Sequence, residues 1–298
     1  MKLGVALPQL AIGGDPLIVK DFAQAAEEIG FQHLSVYDHV LGVNTGVRTD
    51  GKSRYNSSIT FHDPFVLFGF LAGFTKRITF TTQILILPQR QTVLVAKQAA
   101  CVDYLSGGRL RLGIGVGWNQ PEYAALGENF HDRGARSEEQ IALMKALWTD
   151  PNVSFKGKWH AVKESGLNPL PVQRPIPIWF GGHVDQTMDR IVRMGDGWIL
   201  LQYKPDAEGR AAINKLRELA KKAGRAADSV GTDTWVSMAN TTPEQWRAEI
   251  KAWRDIGVSH VTLNTAFDRY HHQPILEKSP RIHVDAVRRY FDAVHDLL

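Results

Sequence analysis

The chain has 298 residues, of which 44% are hydrophobic and 22% are charged, a composition typical of a globular protein. Its formal net charge of +4 is too small to indicate a nucleic-acid-binding surface, although it favours an anionic small ligand over a neutral one. The single cysteine, Cys101, excludes an intrachain disulfide and a thiolate metal site. The sequence contains no run of about 18 apolar residues that would span a membrane, so we expect a cytoplasmic protein. Its 11 histidines form neither H-x-H on a predicted strand nor H-E-x-x-H, so we expect no metal site.

Short apolar segments alternate with longer amphipathic segments, which is the pattern of a parallel sheet connected by helices. Eight of them are predicted strands: KLGVALP from Lys2, HLSVYDH from His33, RITFTTQILILP from Arg77, RLRLGIGVGW from Arg109, IPIWFGGH from Ile176, GWILLQ from Gly197, TDTWVS from Thr232 and SHVTLNT from Ser259. Eight strands in a chain of this length favour closure over an open sheet. The sequence therefore predicts an α/β fold, a (β/α)8 TIM barrel in one domain over residues 1–298.

Two of the predicted helices carry clear start or stop signals. Asp15 can cap the first long helix, Pro16 suits its first turn, and Gly30 can end it. Thr242 and Gln245 have the spacing of a capping box at the start of a later helix. These signals place helices between the predicted strands, as a barrel requires.

Two connections are too long for a plain crossover between a strand and a helix. Residues 41–63, after the second strand, are polar and rich in Gly, Ser, Thr and Asn, which predicts a mobile loop or lid. Residues 119–175, after the fourth strand, contain a predicted helix in SEEQIALMKALWTD and a segment, NVSFKGKWHAV, that suits a β-hairpin. We therefore expect insertions after strands 2 and 4.

Three glycines, Gly113, Gly115 and Gly117, alternate with other residues at the end of the fourth predicted strand. A dinucleotide-binding fingerprint requires G-x-G-x-x-G directly after the first strand, so both the spacing and the position argue against that fold. In a barrel, glycines at the carboxyl end of a strand let a flat ligand or a phosphate approach the backbone. The alternative is that they only relieve crowding inside the barrel. We favour the ligand interpretation because active sites lie at this end.

Tyr37, Asp38 and His39 end the second predicted strand. Side chains alternate along a strand, so Asp38 and His39 both face inward only where the strand has already turned. An acid beside an imidazole at the catalytic end of a barrel can supply a proton donor and a partner that tunes it. A capping aspartate in a solvent-facing turn is the alternative.

The third predicted strand ends in the polar residues Thr81, Thr82 and Gln83. Polar groups that face the barrel interior need partners, and a heteroaromatic ligand would provide them. Hydroxyl groups satisfied by neighbouring backbone are the alternative.

A pair of glycines, Gly181 and Gly182, ends the fifth predicted strand just before a predicted helix near VDQTMDR. Unpaired amides and the helix dipole at such a position favour a phosphate. A plain tight turn accounts for the pair equally well.

Taken together, these motifs resemble the luciferase-like monooxygenase family, in particular the actinobacterial members that use coenzyme F-420 (F420). The resemblance covers nearly the whole chain. It rests on YDHV, the block RITFTTQILILPQRQTVLVAKQAACVDYLSGGRLRLGIGVGW, the following Glu122, IPIWFGGH and MGDGW. It implies a (β/α)8 barrel with a deazaflavin or flavin lying across the carboxyl ends of the strands.

The resemblance also implies roles for individual residues. Asp38 and His39 would be catalytic, beside the reactive face of the ring. A non-prolyl cis peptide bond would join Gln83 and Ile84 in a bulge of the third strand and support the ring. The expected cofactor-binding residues are Thr82, Gln83, Ile84, Val116, Gly117, Trp118, Gly181 and Gly182, the last two contacting phosphate.

One position departs from the family pattern. Trp118 stands where an F420-dependent sugar-phosphate dehydrogenase of this superfamily has a glutamate acid, and an indole cannot donate a catalytic proton at neutral pH. This argues against that particular reaction. Glu122 follows one helical turn later, and whether it takes the place of that acid is left open by the sequence.

The resemblance implies an oxidoreductase that transfers a hydride between F420 and a small organic substrate, in a protein that is commonly a homodimer. Deazaflavin does not readily activate oxygen, so the alternative with FMN is a true monooxygenase. A deazaflavin-binding carrier or sensor without turnover is a further alternative. A phosphosugar isomerase is disfavoured, because the last predicted strand ends in Asn264 where that class needs a glutamate.

Overall fold

The structure is a computed structural model that describes residues 1–44 and 55–298. Its strands are β1 (Lys2–Ala6), β2 (His33–Val36), β3 (Thr79–Thr82), β4 (Leu85–Ile86), β5 (Leu110–Gly115), β6 (Val153–Lys156), β7 (Ala161–Ser165), β8 (Ile178–Gly181), β9 (Gly197–Ile199), β10 (Gly231–Ser237) and β11 (His260–Asn264).

Eight parallel strands of the described chain close into a barrel. Their order around the ring is β1, β2, β3, β5, β8, β9, β10 and β11, and β11 pairs with β1 to complete it. β4 continues the course of β3 and pairs with β5, so the single third strand predicted from the sequence is broken in two. The predicted (β/α)8 barrel is confirmed.

Helices connect successive strands on the outside of the barrel. The helices of the described residues are α1 (Gln9–Ile12), α2 (Pro16–Ile29), α3 (Pro64–Ala72), α4 (Thr92–Ser106), α5 (Gln120–Ala125), α6 (Arg133–Thr149), α7 (Asp185–Met194), α8 (Ala207–Lys222), α9 (Pro243–Ile256) and α10 (Pro280–Val294). The two shortest, α1 and α5, lie in loops at the carboxyl ends of β1 and β5. None of these helices is both long and apolar enough to cross a membrane.

The predicted helix boundaries follow the capping chemistry of the sequence. The Asp15 carboxylate accepts a hydrogen bond from the amide of Leu17, and Gly30 ends α2 in the left-handed region at φ 116°. At α9, Thr242 and Gln245 form the predicted capping box, each side chain accepting from the other residue's amide. Both helix starts are thus confirmed.

Both predicted insertions are present. The connection from β2 to α3 contains the predicted lid, residues 41–63, of which 45–54 lie outside the described residues. The connection from β5 to β8 contains α5, α6 and the antiparallel hairpin of β6 and β7, which confirms the predicted helix and hairpin.

Candidate active site

A cavity opens at the carboxyl ends of the barrel strands. Nine of the ten predicted site residues line it: Asp38, His39, Gln83, Ile84, Val116, Gly117, Trp118, Gly181 and Gly182. These residues come from the ends of four strands, β2, β3, β5 and β8, which the closed ring brings to one face. Their roles in catalysis and cofactor binding stay predictions.

The floor of the cavity contains the bulge between β3 and β4. The Gln83–Ile84 peptide bond is cis, as the resemblance implied. The Ile84 side chain fills space left by two glycines of neighbouring strands. A Cβ atom on Gly115 would lie 2.1 Å from Ile84 Cδ1, and one on Gly181 would lie 2.8 Å from Ile84 Cγ2. Glycine at these positions therefore makes room for the bulge.

Thr82 does not line the cavity. Its hydroxyl is fully buried and donates to the carbonyl oxygen of Gly113 at 2.6 Å. A Cβ atom on Gly113 would lie 2.0 Å from the Thr82 carbonyl oxygen. The expectation of direct cofactor contact by Thr82 finds no support here. For these two residues the structure agrees with the alternatives, a hydroxyl satisfied by backbone and a glycine that relieves crowding.

The Gln83 side chain is held in one orientation by three hydrogen bonds. Its Nε2 donates to Asp233 Oδ2 at 3.0 Å and to Thr262 Oγ1 at 3.1 Å, and its Oε1 accepts from Trp235 Nε1 at 2.8 Å. Because Trp235 also lines the cavity, this network fixes both the floor and one wall.

Below Gln83 lies a buried ion pair that the sequence analysis did not identify. Arg111 Nη2 is 2.6 Å from Asp233 Oδ2, and the guanidinium group lies over the ring of Trp179. Burial alone would raise the pKa of Asp233, but Arg111 and His33 hold it well below its usual range, so the group is a carboxylate. The signal in the sequence is a charged residue inside each of two predicted strands, Arg111 in RLRLGIGVGW and Asp233 in TDTWVS.

His39 lines the cavity and is paired with Glu122, which is 83 residues further along the chain. His39 Nδ1 and Glu122 Oε2 are 3.3 Å apart. Within residues 1–44 and 55–298, the other ring nitrogen, Nε2, has no hydrogen-bond partner. This pairing orients the imidazole and leaves Nε2 as the nitrogen that can exchange a proton.

Glu122 is buried and serves as an acceptor. Its Oε1 accepts from the amides of Val40 at 2.5 Å and Leu41 at 3.1 Å. Burial alone would raise the pKa of Glu122, but His39 and these two amides outweigh it, so the pKa lies below its ordinary value of 4.5. The group is ionised at neutral pH and holds His39 rather than donating a proton itself.

Asp38 faces away from His39 and is occupied by other donors. Both of its oxygens accept from Arg90, at 2.7 and 3.3 Å, and Oδ2 also accepts from the amide of Ile86. Arg90 in turn bonds Asp63 at 2.8 Å. The expected Asp38–His39 pair is therefore wrong as a direct contact. Asp38 fixes the β3–β4 bulge, and Glu122 is the acid that contacts the histidine.

Aromatic side chains surround His39. The ring of Tyr55 lies 4.6 Å from it, that of Phe61 5.1 Å and that of Trp118 6.0 Å, measured between centroids. Tyr55 and Phe61 belong to the described part of the connection predicted as a lid. They make the surroundings of the imidazole largely apolar.

The glycine pair lies at the cavity edge, as predicted. Gly182 adopts φ +119°, a conformation that favours glycine, and its carbonyl oxygen accepts from Trp198 Nε1 at 2.7 Å. The following helix, α7, begins at Asp185 without a side-chain cap. Asp185 is bonded to Lys215. Gly181, Gly182 and His183 line the cavity, so the backbone amides of this turn lie beside it. Phosphate binding by these amides stays a prediction.

Comparison with known proteins identifies relatives with both kinds of cofactor. The family model described as luciferase-like monooxygenase matches residues 8–294. A Mycobacterium tuberculosis protein of uncharacterised function is 33% identical over 207 residues, 67% of this chain and 71% of that protein. An F420-dependent glucose-6-phosphate dehydrogenase of Gordonia bronchialis is 32% identical over 72% of this chain and 62% of that enzyme. An FMNH2-dependent dimethylsulfone monooxygenase of Pseudomonas putida is 31% identical over 77% of this chain and 60% of that enzyme.

Solved structures share the fold across almost the whole chain. An F420-dependent secondary alcohol dehydrogenase in complex with an F420–acetone adduct superposes with a TM-score of 0.79 at 17% identity, over 98% of both chains. A monooxygenase of Streptomyces bottropensis superposes with a TM-score of 0.77 at 18% identity, over 98% of this chain and 97% of that one. At such identities the likeness concerns the fold alone.

Proposed function

The chain belongs to the luciferase-like monooxygenase family, and on that premise we propose that it is a coenzyme F420-dependent oxidoreductase that transfers a hydride between the deazaflavin and a small organic substrate. Family members are F420- or flavin-dependent oxidoreductases and monooxygenases. The observation that carries the proposal is the cavity at the strand ends, which brings the Gln83–Ile84 bulge and the His39–Glu122 pair to one place.

The residues of the cavity fit a planar heteroaromatic cofactor. Its lining is mostly apolar, and the glycines at its edge, Gly117 and Gly182, leave backbone groups accessible. Tyr37 Oη is buried against the cavity without a hydrogen-bond partner among the described residues, so a polar ligand group would satisfy it. In the proposal, Ile84, Val116 and Trp118 contact the ring, and the turn at Gly182 contacts its acidic tail.

Bound F420 would supply hydride transfer, and the chain would supply orientation and charge control. Glu122 keeps Nδ1 of His39 occupied, so the imidazole exchanges a proton through Nε2. The aromatic rings of Tyr55 and Phe61 pack against the imidazole and make its surroundings largely apolar. Asp38 acts through Arg90 and Ile86, which makes it a positioning residue in this proposal.

The runner-up is an FMN-dependent monooxygenase, favoured by the similarity to the dimethylsulfone enzyme. Titration of the purified chain with F420 and with FMN, followed by cofactor fluorescence, separates the two. Saturable F420 binding at least tenfold tighter than FMN binding is expected. Saturable FMN binding without F420 binding would overturn the choice of cofactor.

A carrier or sensor without turnover is separated from an enzyme by His39→Ala. The variant of an enzyme should keep its F420 affinity while its hydride-transfer rate falls by about 100-fold or more. A wild-type chain that binds F420 but oxidises or reduces none of a broad panel of alcohols, aldehydes and enones would favour the carrier.

We also propose that the protein is a cytoplasmic homodimer whose two copies meet through α3 and α4. These adjacent helices expose large apolar side chains that the barrel does not use: Val66 70%, Phe70 37%, Leu94 51%, Tyr104 57% and Leu105 69%. Light scattering should give twice the chain mass of 33.3 kDa, and Val66→Lys combined with Leu105→Lys should give a folded monomer. A wild-type monomer at micromolar concentration would contradict this.

A further inference from the structure

Arg269 is presented to the cavity by a tight turn after the last barrel strand. It lines the cavity together with its neighbour Tyr270. The backbones of Arg269 and His272 are hydrogen-bonded to each other in both directions, which closes a two-residue turn. Tyr270 occupies the left-handed region at φ +56°. A bulky residue in this conformation is uncommon and is found preferentially at functional sites.

The charge of Arg269 is not balanced by an acid in the described part of the chain. Its Nη2 donates to the Tyr270 hydroxyl at 3.2 Å, and against the effect of burial the hydroxyls of Tyr270 and Tyr55 together raise the pKa of Arg269. Its Nε is buried and has no hydrogen-bond partner among the described residues. Within residues 1–44 and 55–298, no carboxylate oxygen lies within 4.0 Å of the guanidinium group.

Two other titratable groups of the cavity are paired, and a third, His183, lies after β8 beside the glycine pair. Asp38 is bonded to Arg90 and His39 to Glu122. Among the described residues, Arg269 is therefore a permanent cation without an acidic partner at the wall of a largely apolar space. An unpaired, partly desolvated guanidinium group is costly, and a planar anion that accepts two parallel N–H bonds removes that cost.

The position of Arg269 separates it from the predicted phosphate contacts. It follows β11, whereas Gly182 follows β8, and two strands, β9 and β10, lie between them in the ring. The Arg269 guanidinium group lies over the Tyr270 ring at 4.9 Å, and the cavity is also lined by Tyr37 and Trp235, whose rings pack edge to face at 5.3 Å. This side of the cavity thus combines a guanidinium group that has no acidic partner among the described residues with flat aromatic surfaces.

We propose that Arg269 binds the carboxylate of the substrate, so that the substrate is a carboxylic acid with an apolar, planar body. The inference rests on the proposed function, since Arg269 lines the same cavity as the residues proposed to bind the cofactor. Arg269 acts in binding and specificity, and His39 remains the group that exchanges a proton.

The test uses cinnamate and its neutral analogue cinnamamide as probes. Binding is followed by quenching of tryptophan fluorescence, because Trp118 and Trp235 line the cavity. The measurement is made on the chain alone and on the chain saturated with F420. Wild type should bind cinnamate at least tenfold more tightly than cinnamamide. Arg269→Met should raise the Kd of cinnamate about 10- to 100-fold, the usual effect of losing a charge-assisted pair, and leave that of cinnamamide within twofold.

Two further variants show whether the guanidinium group itself matters. Arg269→Lys keeps the charge but loses the bidentate N–H donor, so its cinnamate affinity should lie between those of Arg269→Met and wild type. Arg288→Met removes an exposed arginine from α10 and should change neither Kd. Equal binding of the acid and the amide by wild type, or loss of cinnamate binding in both Met variants, would overturn the inference.

F420 affinity distinguishes failure of this inference from failure of the proposed function. Arg269→Met should keep the F420 Kd within twofold of wild type. A tenfold rise in the F420 Kd with unchanged cinnamate binding would assign Arg269 to the cofactor and overturn the substrate assignment. A wild-type chain that binds F420 but does not discriminate cinnamate from cinnamamide refutes the inference and leaves the proposed function intact.

Discussion

Replacing Glu122 by glutamine should move the proton of the neutral His39 ring from Nδ1 to Nε2 while keeping the shape of the site. In the wild type the ionised carboxylate accepts from His39 Nδ1–H. Glutamine Nε2 in the place of Oε2 is a donor, so Nδ1 must become the acceptor and the proton must move to Nε2. Because general acid–base groups contribute about 100- to 10,000-fold, we expect turnover to fall within that range.

The contacts of Glu122 also determine how much Glu122→Gln should lower the free energy of unfolding. Gln89 Nε2 and Asn119 Nδ2 both donate to Glu122 Oε2 at 3.3 Å and would face a donor in the variant. Each unsatisfied buried donor costs about 1–3 kcal/mol, and because both bonds are long we expect a loss of about 2–4 kcal/mol in the free energy of unfolding. The folded pKa of Glu122 is lowered, so its stabilising effect is full above its unfolded pKa of 4.5 and is lost as the pH falls further.

The assay is nitrogen-15 NMR of the histidine ring nitrogens, with urea unfolding as the second readout. Glu139→Gln is a matched control. Glu139 accepts from His160 Nδ1 at 2.8 Å and from the amides of residues 158–160, outside the cavity. It should lose stability without changing the tautomer of His39 or turnover. A Glu122→Gln variant whose His39 keeps its proton on Nδ1, or whose turnover stays within twofold of wild type, would refute the role given to this pair.

Three further predictions concern the cavity floor, the barrel interior and the outer helices. Gly115→Ala should weaken F420 binding at least tenfold with the chain still folded, because the new Cβ displaces Ile84; unchanged fluorescence titration would contradict this. Asp233→Asn should cost about 3–5 kcal/mol in urea unfolding, because Arg111 is left buried without its partner; the difference from wild type should shrink below pH 3.8, where the unfolded-state carboxyl is protonated. Thr242→Ala should cost about 0.5–2 kcal/mol by removing the cap of α9 and leave cofactor affinity unchanged; a loss of affinity would show that the outer helix is coupled to the cavity.

Local sequence patterns were sufficient to predict most of the fold. Short apolar segments and capping residues such as Asp15 and Thr242 depend on neighbours a few residues away, so they can be recognised without the tertiary structure. The break between β3 and β4 was not visible in the apolar pattern. It was implied only by the family resemblance, through the cis bond at Gln83–Ile84.

The partners of the site residues could not be predicted in the same way. Glu122 reaches His39 across 83 residues, and Arg90 reaches Asp38 across 52. Adjacent positions on a strand end point in different directions, so sequence proximity was a poor guide to contact. Thr82 shows the same limit, because its hydroxyl is satisfied by a carbonyl of the neighbouring strand rather than by a ligand.

The most direct test of the account is a crystal structure of the chain with F420. We predict the ring in the cavity at the carboxyl ends of the strands, over the Gln83–Ile84 bulge, with His39 beside it and the acidic tail at Gly181 and Gly182. Ring density elsewhere on the molecule, or a tail that runs toward Arg269 instead of the glycine pair, would contradict it.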